Sequence, residues 1–95
     1  MAEPDSCLND FSKAIHFDSN NYKYYIYRGE LYKNMNKNEL AIKDYTNAIK
    51  ANPISLTYLK RDELYYKLEK FKQAKKDFDQ AKKLDPEYFK KFYHH

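Results

Sequence analysis

The sequence predicts an all-α fold assembled from repeated helical hairpins, and three observations predict it. The first is an internal repeat. Tyr25, Arg28, Gly29 and Tyr32, then Ala41, Tyr45 and Ala48, then Pro53 return as Tyr58, Arg61, Asp62 and Tyr65, then Ala74, Phe78 and Ala81, then Pro86, each 33 residues on. A period of roughly 20–50 residues marks supersecondary units that stack on one another. The second is the spacing within a unit, where steps of three and four residues place these side chains on one helical face. The third is composition. One glycine and three prolines are too few for the turns of a sandwich or barrel, whereas helical hairpins need few.

The elements follow in order. Met1 to Glu3 reads as a tail, and Pro4 suits a first helical position, where its missing N–H would be unpaired anyway. Residues 4–18 form the first predicted helix. In it Cys7, Phe11 and Ala14 copy Ala41, Tyr45 and Ala48 at a distance of 34, so it is the second helix of a hairpin without its first. Ser19 stands where Pro53 and Pro86 stand in the later copies. Residues 22–53 form a complete unit, with a first helix from Tyr22 to about Asn34. Asn36-Lys37-Asn38-Glu39 is expected to act as a capping box for the second helix. That helix buries Ala41, Tyr45, Ala48 and Ile49 and is stopped by Pro53. Residues 55–86 repeat the plan, with apolar faces drawn from Leu59, Leu64, Tyr65, Phe71, Ala74, Phe78, Ala81 and Leu84. Asp85 and Pro86 then supply an N-cap and a first-turn proline. They introduce a short helix over 87–93, whose Phe89, Phe92 and Tyr93 are expected to cover the end of the stack.

This order of aromatic, small and proline residues resembles the tetratricopeptide repeat (TPR) family along almost the whole chain. The resemblance implies one domain over 1–95, a TPR-type helical-hairpin solenoid of about two and a half repeats with a short C-terminal capping helix. The alanines let helix axes approach closely, and Tyr45 and Phe78 fill the volume between them. Gly29 suits a crowded crossing. Asp62 departs from that pattern, because a carboxylate there must find a partner or reach water. The second hairpin is therefore expected to be the looser, with its helices splayed or Asp62 turned outward. Arg28 lies 16 residues before Asp44, and Arg61 lies 16 before Asp77. In a TPR hairpin these positions lie on facing helices, which predicts an arginine–carboxylate bridge in each repeat. Asp10 matches the two aspartates, but no helix supplies its arginine.

The residues give no catalytic constellation. There is no Cys-x2-Cys, no His-Glu-x2-His and no glycine-rich loop, so neither an enzyme, a metal site nor a cofactor is expected. His16 reads as a surface residue, and Cys7 as a buried structural thiol at an alanine-like position. His94 and His95 resemble a tag remnant. One cysteine permits no internal disulfide, which favours a reducing, cytoplasmic setting. No apolar run approaches the roughly 18 residues of a membrane span, and Met1 to Asn9 is no signal peptide.

The resemblance also implies where function lies. TPR proteins line a concave groove mainly with first-helix residues. Here these are Lys23, Ile26, Tyr27, Glu30, Lys33 and Asn34, then Leu59, Lys60, Glu63, Tyr66 and Lys67. Tyrosine and lysine together suit a peptide or partner helix, since rings give rigid contact area and ammonium groups meet carboxylates. The expected function is a non-enzymatic protein–protein interaction module, a scaffold or adaptor segment. The carboxylate grip of chaperone-binding members is not reproduced. At its positions stand Ile26, Glu30, Lys60, Lys90 and His94, of which Lys90 alone matches. The competing reading is a basic module contacting nucleic acid or an anionic membrane. Residues 55–95 hold eleven Lys or Arg against seven Asp or Glu, and Lys72, Lys75, Lys76, Lys82 and Lys83 share the outer side of one helix, interrupted by Asp79. Finally, Phe11, Ala14 and Ile15 are expected to form a half-covered edge through which the chain self-associates.

Overall fold

A computed structural model describes residues 4–92, which are helical apart from short connections and contain no strand. The readings placed on Met1 to Glu3, Tyr93, His94, His95 and the Phe92 side chain lie outside the described residues. In chain order the helices are α1 (Pro4–Phe17), α2 (Tyr22–Asn34), α3 (Asn38–Ala51), α4 (Ser55–Lys67), α5 (Phe71–Leu84) and α6 (Pro86–Phe92). They pack in successive pairs, α1 on α2 and α2 on α3 in one compact unit, α4 on α5 and α5 on α6 in another. No described helix is long and apolar enough to cross a membrane.

In the first unit, α2 opens with Asn21 in an extended conformation, its side chain accepting the Lys23 N–H at 3.1 Å. This is the usual way to satisfy an orphan donor of the first turn. The helix closes on a left-handed residue, Asn36 (φ 61°). The Asn36 N–H donates to the Lys33 carbonyl at 3.0 Å and the Lys37 N–H to that of Tyr32 at 2.8 Å, the pair of bonds that define a Schellman turn. Here the structure corrects the expected capping box. Lys37 occupies the N-cap of α3, and no side chain caps it. Asn36 is committed instead to ending α2, because asparagine tolerates the left-handed region and the turn satisfies two backbone donors at once.

Ala41, Asp44, Tyr45 and Ala48 form the buried stripe of α3, and Ile49 is only half-buried. The crossing of α2 and α3 is tight at Gly29. A Cβ built there would stand 2.7 Å from Cε1 of Tyr45, a ring that is 1% exposed. Across the same pair, Arg28 donates from Nε to Oδ2 of Asp44 at 2.8 Å and from Nη2 to Oδ1 at 2.7 Å. Its Nη1 reaches Ser12 Oγ on α1 at 3.1 Å. One guanidinium thus ties together all three helices of the unit. On α1 itself, Cys7, Phe11, Ala14 and Ile15 are half-buried, whereas Ala41, Tyr45 and Ala48 at the matching positions of α3 are buried. The expected half-covered edge is present. For the same reason Cys7 is not the fully buried thiol expected, because one side of α1 has no described helix against it.

The second unit repeats the fork, Arg61 Nε to Asp77 Oδ2 at 2.8 Å and Nη2 to Oδ1 at 2.7 Å. The turn between α4 and α5 is again a Schellman turn, now with Glu69 in the left-handed position (φ 63°). Its N–H and that of Lys70 donate to the carbonyls of Tyr66 (3.0 Å) and Tyr65 (2.8 Å). Leu64, Ala74, Ala81 and Phe89 are buried. Phe71 and Leu84, expected in the apolar faces, are 54% and 48% exposed, since each stands at an end of α5. Pro86 itself opens α6, one residue before the expected start, and the Tyr88 N–H is capped by Asp85 Oδ1 at 3.2 Å. Phe89 lies edge-on to Phe78 with centroids 5.0 Å apart.

Two outcomes follow for stability. Replacing a mid-helix glycine by alanine ordinarily adds up to about 1 kcal/mol, yet Gly29→Ala is expected to lose about 1–3 kcal/mol to overpacking against Tyr45. Urea denaturation giving a variant as stable as the parent would show that the ring moves without cost. Glu69→Gly is expected to raise stability by about 1 kcal/mol, because a side chain in the left-handed region costs about 1–2 kcal/mol that glycine does not incur. An unchanged midpoint would count against strain at that turn.

Candidate functional site

The helical period carries Leu56, Leu59, Lys60, Glu63 and Tyr66 along one side of α4, at steps of three and four. This side bounds a cavity of about 480 Å³ together with Asp62 and, from α6, Tyr88. Of the residues the sequence nominated, Leu59, Lys60, Glu63 and Tyr66 are thus brought together, and Lys67 lies exposed on the last turn outside them. Leu56, Asp62 and Tyr88 were missed. Leu56 stands one turn before Lys60 and was within reach of the same periodicity. Tyr88 enters because α6 folds onto α5; the end-covering helix was expected, but with Phe89, Phe92 and Tyr93 as its contacts.

A second cavity, of about 330 Å³, opens between α4 and α5. Asp62 and Tyr66 belong to both, and Phe71, Ala74, Lys75 and Phe78 complete its walls. Tyr66 is 66% exposed and meets the Phe71 ring edge-on, centroids 5.1 Å apart. Phe78 is half-buried where its counterpart Tyr45 is sealed. The looser second hairpin expected from Asp62 takes this form, a crevice beside the carboxylate.

In the first unit the nominated residues are less concentrated. Lys23, Tyr27 and Asn34 are exposed, and Glu30 and Lys33 are half-buried. The Tyr27 ring lies 5.6 Å from that of Phe11 on α1. Ile26 is a core residue, 6% exposed. It stands one turn before Gly29 on the face that meets α3, so it is not available to a ligand on the surface of this fold.

Electrostatics distinguish the aspartates. Asp44 and Asp77 are gripped by arginines, whose own pKa values are raised, first by the hydrogen bond each donates and against the effect of burial. Asp62 has its pKa raised, first by burial and then by Asp77 and Glu63. No basic side chain is paired with it among the described residues. Among these residues no group of three metal-binding side chains comes together either.

The tetratricopeptide repeat profile matches residues 22–55 and 63–88, more than half of the sequence. The chain belongs to the tetratricopeptide repeat family. No curated protein matches it. Tetratricopeptide repeats generally mediate contact between proteins. The second match in this TPR chain begins at Glu63.

The sign of the Asp62 effect is set by its raised pKa. A carboxyl harder to ionise in the fold than in the unfolded chain favours folding while protonated, and that contribution is lost as pH rises through the raised value. Asp62→Asn is therefore expected to be more stable than the parent at pH 7, with the difference shrinking as both approach pH 3. Thermal melts at the two pH values check this, and a constant or growing difference would contradict it.

Proposed function

We propose that this TPR chain is a non-enzymatic interaction module, a scaffold or adaptor segment. Its α4 surface receives a peptide or helix of a partner protein. The observation that carries this reading is the cavity of about 480 Å³ along α4. It combines apolar Leu56 and Leu59, amphipathic Tyr66 and Tyr88, and the charges of Lys60, Asp62 and Glu63. Mixed aromatic and charged lining suits a peptide, which needs apolar anchoring and a few polar contacts that set register. Tyr66 and Leu56 are 66% and 52% exposed, so they present contact area without being withdrawn from the core.

The second reading, contact with nucleic acid or an anionic membrane, draws on α5, where Lys72, Lys75, Lys76, Lys82 and Lys83 are all exposed. Asp79 interrupts that face, sharing a shallow depression with Lys76, Gln80 and Lys83. Salt sensitivity separates the two, because phosphate contacts release counterions and weaken steeply with salt.

The test is a selection of peptides from a random display library, followed by titration of the selected peptides. Leu56→Asp with Lys60→Glu is expected to weaken them at least about tenfold, the equivalent of roughly 1.4 kcal/mol. A random oligonucleotide at about 150 mM salt is expected to show no saturable binding. Peptide affinity indifferent to the double substitution, or tight salt-dependent oligonucleotide binding, would overturn the proposal.

A further inference from the structure

The two repeats supply an internal comparison, since positions 33 apart do the same job in each hairpin. Ala41 and Ala74 are identical, and Tyr45 and Phe78 are both aromatic. Among the residues that line the crevice between α4 and α5, four differ in chemical kind from their counterparts: Asp62 from Gly29, Tyr66 from Lys33, Phe71 from Asn38 and Lys75 from Ile42. Hairpin packing does not require them, because the first hairpin folds without them. They give the opening of about 330 Å³ a carboxylate and two rings, Tyr66 and Phe71, that the first hairpin lacks at these positions.

The chain itself shows which ligand chemistry this wall composition suits. Arg28 is held by Asp44 with the Tyr32 ring 6.0 Å from its guanidinium carbon. Arg61 is held by Asp77 between Tyr58 and Tyr65, at 5.7 and 5.6 Å. Carboxylate plus aromatic faces is thus filled by arginine both times it occurs in the interior. A planar guanidinium suits it because it donates two parallel N–H bonds to a carboxylate while stacking on a ring. The crevice has the same components, the Asp62 carboxylate beside the Tyr66, Phe71 and Phe78 rings, without an arginine. Lys75 on the rim is exposed and makes no ion pair with Asp62.

We propose that the crevice between α4 and α5 receives an arginine side chain of the partner protein, gripped by Asp62 and flanked by Tyr66, Phe71 and Phe78. This rests on the interaction-module reading and names the anchor the partner presents. Asp62 and Tyr66, common to both cavities, connect the anchor to the peptide path along α4. The Glu63 carboxylate adds to the field that draws a cation there.

The test is an amide-resolved NMR titration of the full chain with N-acetyl-arginine-N-methylamide, and with the citrulline analogue, which has the same shape and no charge. Shifts are expected to centre on Asp62, Tyr66, Phe71 and Phe78, with the citrulline analogue at least about fivefold weaker. Asp62→Asn and, separately, Phe71→Ala are each expected to weaken the arginine probe at least about threefold. Phe71 is 54% exposed, so its truncation leaves the core intact. Equal response to the two probes, response unaltered in Asp62→Asn, or shifts centred elsewhere would overturn the proposal. Selected peptides that lack arginine and bind α4 undiminished by Asp62→Asn would also overturn it, while leaving the interaction surface standing. An arginine probe seated in the crevice of a chain that captures no peptide would uphold the pocket and remove the module reading.

Discussion

The arginine–aspartate fork between the two helices of a hairpin is the constraint on which each unit depends. Asp44 and Asp77 are 2% and 3% exposed, and a carboxylate in that position is costly unless it is paired and hydrogen-bonded. Bidentate pairing meets that need, and it does so in a single relative placement of the helices, because the guanidinium fork is planar and rigid. A neighbouring heptad slip or rotation would leave both charges unpaired. Net stabilisation is not the main consequence, since a buried ion pair often does no better than an apolar pair of equal volume. What the fork supplies is register. Once Arg28 and Asp44 meet, Gly29 must face Tyr45, and once Arg61 and Asp77 meet, Asp62 must face the Phe78 side of α5. The contrast between a sealed first hairpin and an open second one follows from that shared register acting on different neighbours.

Most of the fold was legible because it rests on spacing. The period of 33 and the small residues at Ala41, Ala48, Ala74 and Ala81 were read from spacing, both forks from spacing together with the resemblance to a TPR hairpin, and the structure has the forks where they were expected. The failures share a cause, which is that a residue satisfying one local rule was already committed to another. Asn36 fitted a capping box but was needed to end α2 in the left-handed turn. Ile26 fitted a surface stripe of α2, yet the face that carries Gly29 towards α3 carries Ile26 with it. Cys7 matched a buried alanine, but burial at that position requires a helix on the other side of α1. The site was partly legible. The family resemblance nominated Leu59, Lys60, Glu63 and Tyr66, whereas Tyr88 arrives through tertiary packing of α6, and Asp62 was noticed as a fault in packing rather than as a lining residue.

Asp62 also shows how a repeat separates structural from functional demands. In the first hairpin the same position is glycine, and the adjoining ring is pressed within 2.7 Å of where a Cβ would be. A side chain there is incompatible with that packing, so the second hairpin with an aspartate cannot be a copy of the first. It accommodates the carboxylate beside a crevice, where Phe78 is half-buried. Taken singly, each of these is a defect: an ionisable group without a basic partner, aromatic surface in water, and a glutamate forced into a left-handed turn at Glu69. Natural sequences carry such local conflicts where another requirement outweighs consistency. Asp62, Phe71 and Phe78 line one crevice, and Glu69 stands in the connection between the helices that form it.

The fork also links the energetics of the second hairpin to its candidate site. Asp62, Tyr66, Phe71 and Lys75 come from two helices and from positions separated by up to 13 residues in the chain. The four become neighbours only after the fork has set the helices in register. The same interaction that makes α4 and α5 a hairpin therefore assembles the crevice. A carboxylate held near aromatic faces is already the arrangement this chain uses to bind guanidinium in its own interior. Opening the second hairpin moves that arrangement from the core to the surface, where a partner's side chain has access to it.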